Sequence, residues 1–152
     1  MEDNFLLDEI LPHKKPMILI DELINVDLEK LSAKTKVKID ENKIFYDKTL
    51  NGIDHLAGIE FMAQTIGCYA FYKNGKKRPK AGFLLGTRNF KSGINYFKKN
   101  EVYEIEIKEL FMDDELVSFE CFIYNNGKEC QKAVVNVYQP KDDNVDLLRM
   151  YG

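Results

Sequence analysis

The chain has 152 residues, with 22 Lys and Arg against 25 Asp and Glu, so its formal net charge at pH 7 is −3. Its apolar content of 45% and charged content of 31% are typical of a globular protein, and its length fits one domain, residues 1–152. No apolar run reaches membrane-spanning length and no basic segment precedes an apolar one at the N-terminus, so we expect a cytoplasmic protein with no membrane or nucleic-acid partner.

The N-terminal third predicts a short helix, a proline-bounded turn and a strand pair. Residues 4–10 form an amphipathic segment, and the two prolines in residues 11–16 hold an extended, turn-like path. Residues 17–26 are rich in Ile and Leu and predict a strand. Residues 31–39 alternate polar and apolar side chains, which predicts a half-exposed strand. Together these two strands predict a hairpin.

A long helix is predicted over residues 54–72, after a polar connection at residues 40–53. Asp54 supplies the N-cap, and Asn74-Gly75 is a C-terminal stop signal. The helix is apolar on nearly every side, which is typical of a helix enclosed by other elements.

The last third predicts antiparallel strands. A short buried strand is expected at residues 82–86, weak strand character at 88–97, and three clearer strands at 102–112, 116–124 and 133–138. In the first of these three, Tyr103, Ile105, Ile107 and Phe111 are predicted to share the buried face, and Asn126-Gly127 is a hairpin signal. The predicted class is α+β, with a curled antiparallel sheet wrapped around one long helix.

Charge and cysteine positions are uneven along the chain. Residues 61–100 contain no Asp or Glu but nine basic residues, which leaves 13 basic against 25 acidic residues elsewhere, a net charge of −12. Such a stretch indicates either a site for an acidic partner or a solvated loop. The cysteines Cys68, Cys121 and Cys130 lack metal-ligand spacing and are expected to be free thiols.

Glu60 is the one carboxylate inside the predicted helix, in its second turn, and its neighbours Ile59 and Phe61 offer it no polar face. An exposed surface glutamate is the ordinary alternative, but a carboxylate enclosed by apolar groups can exchange protons during catalysis. The backbone N–H groups at the helix start, at Ala57 and Gly58, are candidates to bind a substrate carbonyl.

The chain has two histidines, His13 and His55. His55 precedes Glu60 by five residues and so lies about 140° from it around a helix axis, which makes a shared substrate difficult within one helix. His13 can approach Glu60 from elsewhere in the fold or from a second subunit, and a plain hydrogen-bonding role is the alternative for each histidine. The two histidines make a poor metal site, and no cofactor is expected.

Four segments resemble the hot-dog-fold 3-hydroxyacyl-[acyl-carrier-protein] dehydratases of the FabZ type, and most closely their ApeP-like branch, which is associated with aryl-polyene and related polyketide synthesis. The segments are 11–22 (LPHKKPMILIDE), 58–64 (GIEFMAQ), 82–88 (GFLLGTR) and 135–140 (VNVYQP). The resemblance runs over residues 6–140, which sets the expected core, with a polar C-terminal tail beyond it.

The resemblance implies elimination of water from a 3-hydroxyacyl thioester carried on the phosphopantetheine of an acyl-carrier protein or on CoA, in fatty-acid or polyketide synthesis. Glu60 matches the catalytic acidic residue of the family and Gln64 the glutamine that follows it, expected to bind substrate. The family also implies a dimer or a multiple of dimers with sites at the interface, including pairing with a homologous dehydratase. The basic residues Lys76, Lys77, Arg78, Lys80 and Arg88 would then suit an acidic carrier protein.

One departure from the FabZ pattern bears on activity. The catalytic histidine of that pattern stands fourteen residues before the glutamate, where this chain has Tyr46. Either His55 takes the role, or His13 does, or dehydratase activity is lost. The competing functions are therefore a dehydratase, a hot-dog thioesterase, and a non-catalytic acyl-binding subunit that pairs with an active dehydratase.

Overall fold

An antiparallel sheet and one long helix make up most of the structure. The computed structural model describes residues 5–76 and 82–140. The helices are α1 (Leu7–Ile10) and α2 (Gly58–Lys73), with a 3-10 turn at His55–Ala57 before α2. The strands are β1 (Glu22–Asp27), β2 (Ser32–Lys38), β3 (Tyr46–Asp47), β4 (Gly52–Asp54), β5 (Phe83–Ser92), β6 (Tyr96–Lys98), β7 (Val102–Asp113), β8 (Leu116–Asn125) and β9 (Lys128–Tyr138).

Six strands form the main sheet in the order β1-β2-β7-β8-β9-β5, and every neighbouring pair is antiparallel. The sheet is open, with β1 and β5 at its edges, and β3, β4 and β6 form a second small sheet. Eleven of the sixteen residues of α2 are buried. Phe61, Met62, Ile66 and Tyr69 share a core with the inward side chains of β2, β7, β8 and β9, and the side of the helix with Cys68, Phe71 and Tyr72 packs in a second cluster with the N-terminal segment. This confirms the predicted α+β class and the enclosed helix.

Local hydrogen bonds determine where α2 begins and ends. The Asp54 carboxylate accepts a hydrogen bond from the Leu56 N–H at 2.9 Å, and the cap leads into the 3-10 turn. Regular α-helix therefore starts at Gly58, which places Glu60 in its first turn instead of the predicted second. At the other end, Gly75 has a φ of +85°, a left-handed conformation that ends helices readily.

The predicted N-terminal hairpin is confirmed, but its first strand begins at Glu22 instead of residue 17. Within residues 17–21, a side chain takes the place of a strand partner at two positions: the N–H groups of Leu19 and Ile20 both donate to Gln64 Oε1, at 2.9 and 3.4 Å. Propensity alone could not identify this, since the amide lies 45 residues further along the chain.

Two segments with weak local signals differ from their predictions. Residues 40–53, predicted to be a connection, contain β3 and β4, which pair with β6 rather than with the main sheet. The segment 82–86 is not a short buried strand but the start of the ten-residue edge strand β5, where Leu84 is 48% and Leu85 59% exposed. An edge strand leaves apolar side chains uncovered within one chain.

A β-bulge changes the predicted buried face of β7. Tyr103, Ile105 and Ile107 point into the core as predicted, but the register with β8 shifts between Glu109 and Phe111. Glu109, just before the bulge, continues the inward alternation and is buried, whereas Phe111, just after it, is 54% exposed because the bulge adds one residue to the alternation.

The hairpin between β8 and β9 is confirmed. Asn126 and Gly127 both have positive φ, 51° and 79°, as a tight two-residue turn of this type requires. The strand β9 is longer than predicted and begins at Lys128. Cys68, Cys121 and Cys130 are free thiols, as expected. In residues 5–76 and 82–140 no helix is long and apolar enough to cross a membrane.

Candidate functional site

A cavity of about 570 Å³ lies between α2, the proline-bounded segment and the paired strands β5 and β9. Most of its lining is apolar, and Glu60 and His13 are the ionisable exceptions together with the phenol of Tyr138. The other lining residues are Pro12, Ala63, Ile66, Gly67, Gly82, Phe83, Leu84, Leu85, Val137 and Gln139. An apolar cavity with a few convergent polar groups is the usual form of a small-molecule site.

The helix supplies the floor of this cavity through one face. Glu60, Ala63 and Gly67 follow the spacing i, i+3, i+7 and so lie on the same side of α2. Two of these residues are small, which leaves room beside the carboxylate. A Cβ at position 67 would lie 2.8 Å from Leu11 Cδ2, so this part of the helix already packs closely on the N-terminal segment.

The structure brings His13 to Glu60. His13 Nε2 lies 3.3 Å from Glu60 Oε1, and the two side chains are 30% and 34% exposed. The other ring nitrogen, Nδ1, is buried and has no hydrogen-bond partner in the described part of the chain. The imidazole therefore meets the carboxylate with one edge and the protein interior with the other.

Gln64 lies behind Glu60 and is fully buried. Its Nε2 donates to Glu60 Oε1 at 3.1 Å and to the carbonyl of Met17 at 2.8 Å, while its Oε1 accepts from the N–H of Leu19 and Ile20. The amide thus joins the helix to the segment that follows His13. The structure places it where it can orient Glu60, away from the wall of the cavity.

The two oxygens of Glu60 differ in their surroundings. Gln64 Nε2 donates to Oε1, and His13 Nε2 lies 3.3 Å from the same oxygen. Within residues 5–76 and 82–140, Oε2 has no hydrogen-bond donor, and it is not enclosed by protein. Because Glu60 lines the cavity, Oε2 is the carboxylate atom that a bound molecule can reach.

His55 lies apart from this group. Its Nδ1 is 3.1 Å from the carbonyl oxygen of Asn95 and 3.5 Å from the Asp54 carboxylate, and its ring stacks on Phe90 with 6.2 Å between centroids. It does not line the cavity as the described residues form it. These contacts link the start of α2 to the loop before β6.

The helix start is packed against the sheet. The Gly58 N–H donates to the carbonyl of His55 within the 3-10 turn, and a Cβ at this glycine would lie only 1.8 Å from Gln131 Oε1. Gln131 Nε2 donates to the same His55 carbonyl at 2.8 Å. Ala57 and Gly58 are not among the described residues that line the cavity, so their N–H groups lie outside it within one chain.

The basic residues predicted to meet a carrier protein are only partly described. Lys76 is exposed beside the Tyr72 ring, and Arg88 is exposed on β5. Lys77, Arg78 and Lys80 lie outside the described residues. Within the described residues, no group of three or more His, Cys, Asp or Glu side chains has the arrangement of a metal site.

Sequence reasoning did not assign the aromatic wall of the cavity. Phe83 on β5 and Tyr138 on β9 are cross-strand partners, with ring centroids 6.4 Å apart. Both lie in segments that carried the family resemblance, but nothing in either segment indicates that the two rings meet beside Glu60. Gln131 was missed as well, because its role depends on its contact with the helix start.

Comparisons with known proteins agree with this architecture. A search of curated proteins found no match. Among solved structures, the chain is similar to the dehydratase heterocomplex ApeI:P from Xenorhabdus doucetiae, with a TM-score of 0.83 and 27% identity over 96% of this chain and 98% of that chain. A homologue of HP0420 from Helicobacter felis has a TM-score of 0.68 at 9% identity over 95% and 96% of the two chains.

A hypothetical thioesterase with coenzyme A from Streptococcus pneumoniae has a TM-score of 0.61 at 12% identity, covering 78% of this chain and 84% of that chain. Identities this low show the shared fold alone, and together these similarities confirm the hot-dog fold. The protein-family model ApeP-like, described as ApeP dehydratase, matches residues 5–149. Since this match spans nearly the whole sequence, the chain belongs to the ApeP-like dehydratase family.

Proposed function

We propose that this protein takes part in the dehydration of a 3-hydroxyacyl thioester to a 2-enoyl thioester. The observation that carries the proposal is the placement of Glu60, paired with His13, in the wall of an apolar cavity. Dehydration requires a group that takes a proton next to the thioester carbonyl and a group that protonates the departing hydroxyl. The apolar lining suits an acyl chain, and the family supports this reaction class.

The acyl group is proposed to arrive on phosphopantetheine, attached to an acyl-carrier protein or CoA, in fatty-acid or polyketide synthesis of the aryl-polyene type. Carrier proteins that are acidic would be attracted by the exposed Lys76 and Arg88, which lie in the part of the chain without carboxylates. His13 is proposed as the histidine of the site in preference to His55, because only His13 contacts the carboxylate.

Replacement of Glu60 by Gln tests the assignment. The Glu60→Gln amide keeps the size of the side chain but cannot exchange protons, so turnover of a 3-hydroxyacyl thioester should fall by about 10³-fold or more. Circular dichroism and the thermal midpoint should stay close to those of the wild type. The exposed Glu29→Gln is the matched control. Unchanged turnover in the Glu60→Gln variant would refute a catalytic role for this cavity.

A thioesterase is the second candidate, because a carboxylate with one free oxygen in a hot-dog protein can also activate water. Mass spectrometry of the products separates the two reactions. Dehydration lowers the mass of the acyl chain by one water, about 18 Da, and the chain stays on its carrier, whereas hydrolysis releases the free acid. Release of the free acid by the wild type, lost in Glu60→Gln, would favour the thioesterase.

We also propose that the chain works as a dimer or in a heteromer with a homologous dehydratase, as a similar protein does in the ApeI:P heterocomplex. Two features support assembly: the outer edge of β5 pairs with no strand in the described residues, and Leu84 and Leu85 are exposed there beside the cavity. Turnover should therefore be assayed with the chain alone and with a co-expressed homologue. Activity only in the pair, unaffected by Glu60→Gln, would identify this chain as the non-catalytic subunit.

A further inference from the structure

We infer that Glu60 carries out both proton transfers of the dehydration through its Oε2 atom, and that His13 is a positioning residue and not the base. The inference rests on the proposed function and assigns the roles within its site. It differs from the FabZ pattern, in which a catalytic histidine accompanies the acidic residue.

The tautomer of His13 follows from its contact with the carboxylate. A neutral imidazole has one N–H and one lone pair, and a carboxylate accepts hydrogen bonds but cannot donate them when ionised. With the N–H on Nε2, the ring directs this hydrogen towards Glu60 Oε1 across the 3.3 Å contact, whereas the other tautomer would bring two lone pairs face to face. The contact therefore favours the N–H on Nε2, which leaves the lone pair on Nδ1, a buried atom.

The surroundings of Glu60 point to the same division of roles. The buried Gln64 donates a hydrogen bond to Oε1, and His13 Nε2 lies 3.3 Å from the same oxygen, so both neighbours hold the carboxylate through Oε1. This leaves Oε2 as the accessible oxygen in the cavity wall. A carboxylate held in this way needs no reorganisation when it reacts.

One carboxylate is sufficient for the reaction to balance. Oε2 takes a proton from C2 of the substrate, and the electron pair of the broken C2–H bond forms the double bond between C2 and C3. The C3–O bond breaks, and the departing hydroxyl receives this proton from Oε2 and leaves as water. The products are a 2-enoyl thioester and water, and the carboxylate of Glu60 is regenerated.

Two substitutions of His13 separate positioning from base catalysis. His13→Gln places an amide N–H near the position of Nε2, whereas His13→Leu removes the donor. Kinetics with a 3-hydroxyacyl thioester should show His13→Gln within about tenfold of the wild type, His13→Leu lower by roughly 10²-fold, and Glu60→Gln lower by about 10³-fold or more. If turnover falls by about 10³-fold in all three variants, the inference is overturned.

The pH dependence of kcat/KM gives a second readout that loss of structure would not imitate. If Glu60 is the base, His13→Gln keeps the acid limb of the wild-type profile. If His13 is the base, that limb disappears or moves in His13→Gln, which would overturn the inference.

A measurement without turnover keeps the two proposals distinguishable. Nitrogen-15 NMR of the histidine-labelled wild type at neutral pH, with His13→Gln for assignment, should show the proton of His13 on Nε2. A proton on Nδ1 would overturn the inference. The wild type could also show the Nε2–H tautomer but dehydrate no substrate, either alone or with a homologous partner. That result would overturn the proposed function and the proton-transfer step, and it would still support the positioning contact between His13 and Glu60.

Discussion

At the scale of single residues, the buried amide of Gln64 connects three parts of the site. It donates to Glu60 and to the carbonyl of Met17, and it accepts from the N–H groups of the chain that follows. The segment that carries His13 therefore reaches the helix through a side chain rather than through a strand pairing. The position of the histidine depends on this amide.

Gln64→Ala should lower the free energy of unfolding by about 2–4 kcal/mol, because the Leu19 N–H stays buried without its acceptor and a small void replaces the amide. Urea denaturation measures the change. Gln139→Ala is the matched control, since Gln139 lies at the end of β9 and is only partly buried, and its effect should stay below about 1 kcal/mol. Equal effects in the two variants would contradict the bridging role.

Burial also changes the pKa of a thiol on the same helix, Cys68. It raises the pKa of Cys68 from its ordinary value of 9.0 to about 12, because the thiolate would lose its hydration in the core. The unfolded chain therefore loses this proton first as the pH rises. Stability linked to Cys68 is complete below the ordinary pKa of 9.0, which the thiol has in the unfolded chain, and is lost as the pH rises towards 12.

Between pH 9 and 11 the free energy of unfolding should fall as the pH rises. Titration of Cys68 should contribute up to about 1.4 kcal/mol per pH unit to this fall. Cys68→Ala removes this contribution, so its slope should be shallower than that of the wild type in urea titrations across this range. The exposed Lys30→Ala serves as a control that keeps the thiol. Identical slopes for Cys68→Ala and the wild type would show that the thiol titrates equally in both states.

At the scale of elements, α2 is fastened to the sheet at both ends. Gln131 of β9 bonds to the carbonyl of His55 before the helix, and at the other end Lys73 pairs with Glu109 of β7. The Tyr69 hydroxyl donates to the same carboxylate at 3.4 Å, and burial together with that carboxylate raises the pKa of the phenol. Glu109 reaches this position because it continues the inward alternation of Tyr103, Ile105 and Ile107 on β7.

Lys73→Met should lower the free energy of unfolding by about 1–3 kcal/mol, since Glu109 stays buried without its cation while the apolar stem of the side chain is retained. Lys34→Met breaks an exposed pair with Glu106 and should change it by less than about 1 kcal/mol. Chemical denaturation of both variants gives the comparison. If Lys73→Met lowers the free energy of unfolding no more than Lys34→Met does, the Lys73–Glu109 pair contributes no more than an ordinary surface pair.

Ala63 opens the cavity on the helix face, so a larger side chain there should fill it. Ala63→Leu is expected to raise KM for a 3-hydroxyacyl thioester, or weaken binding of an acyl ligand, by roughly tenfold or more, with little effect on stability because the side chain enters empty space. Ala63→Ser keeps the volume and is the control. Unchanged KM and ligand binding in Ala63→Leu would mean that the acyl chain lies elsewhere.

At the scale of the whole molecule, the sheet has an uncovered apolar edge at β5. An edge strand with exposed leucines is a surface that soluble proteins usually cover, and this edge also forms one wall of the cavity. Assembly through this edge would therefore protect the strand and the site together.

Leu85→Arg should reduce the mass measured by light scattering, because a charge would then have to be buried where two chains meet. Leu28→Arg is the control: Leu28 is 47% exposed, in the turn after β1 at the opposite end of the sheet. A multimer that survives Leu85→Arg would place the interface elsewhere. If only Leu28→Arg gives a smaller species, the interface lies at the β1 edge.

Local patterns in the sequence were sufficient for the long helix, the antiparallel hairpins and the family. Each of these depends on residues close together in the chain, such as the Asp54 cap, the Asn126-Gly127 turn and the unbroken apolar surface around the helix. The sequence also indicated that the family histidine is missing from position 46, where Tyr46 stands.

Only the tertiary structure decided which histidine meets the carboxylate. His13 does so because Gln64 holds the segment after it against α2, and His55 does not because it faces Asn95 and Phe90. The β7 bulge and the open β5 edge were likewise beyond local reasoning. Periodicity reports the face on which a side chain lies within one element, but contacts between segments 45 residues apart depend on how the elements pack.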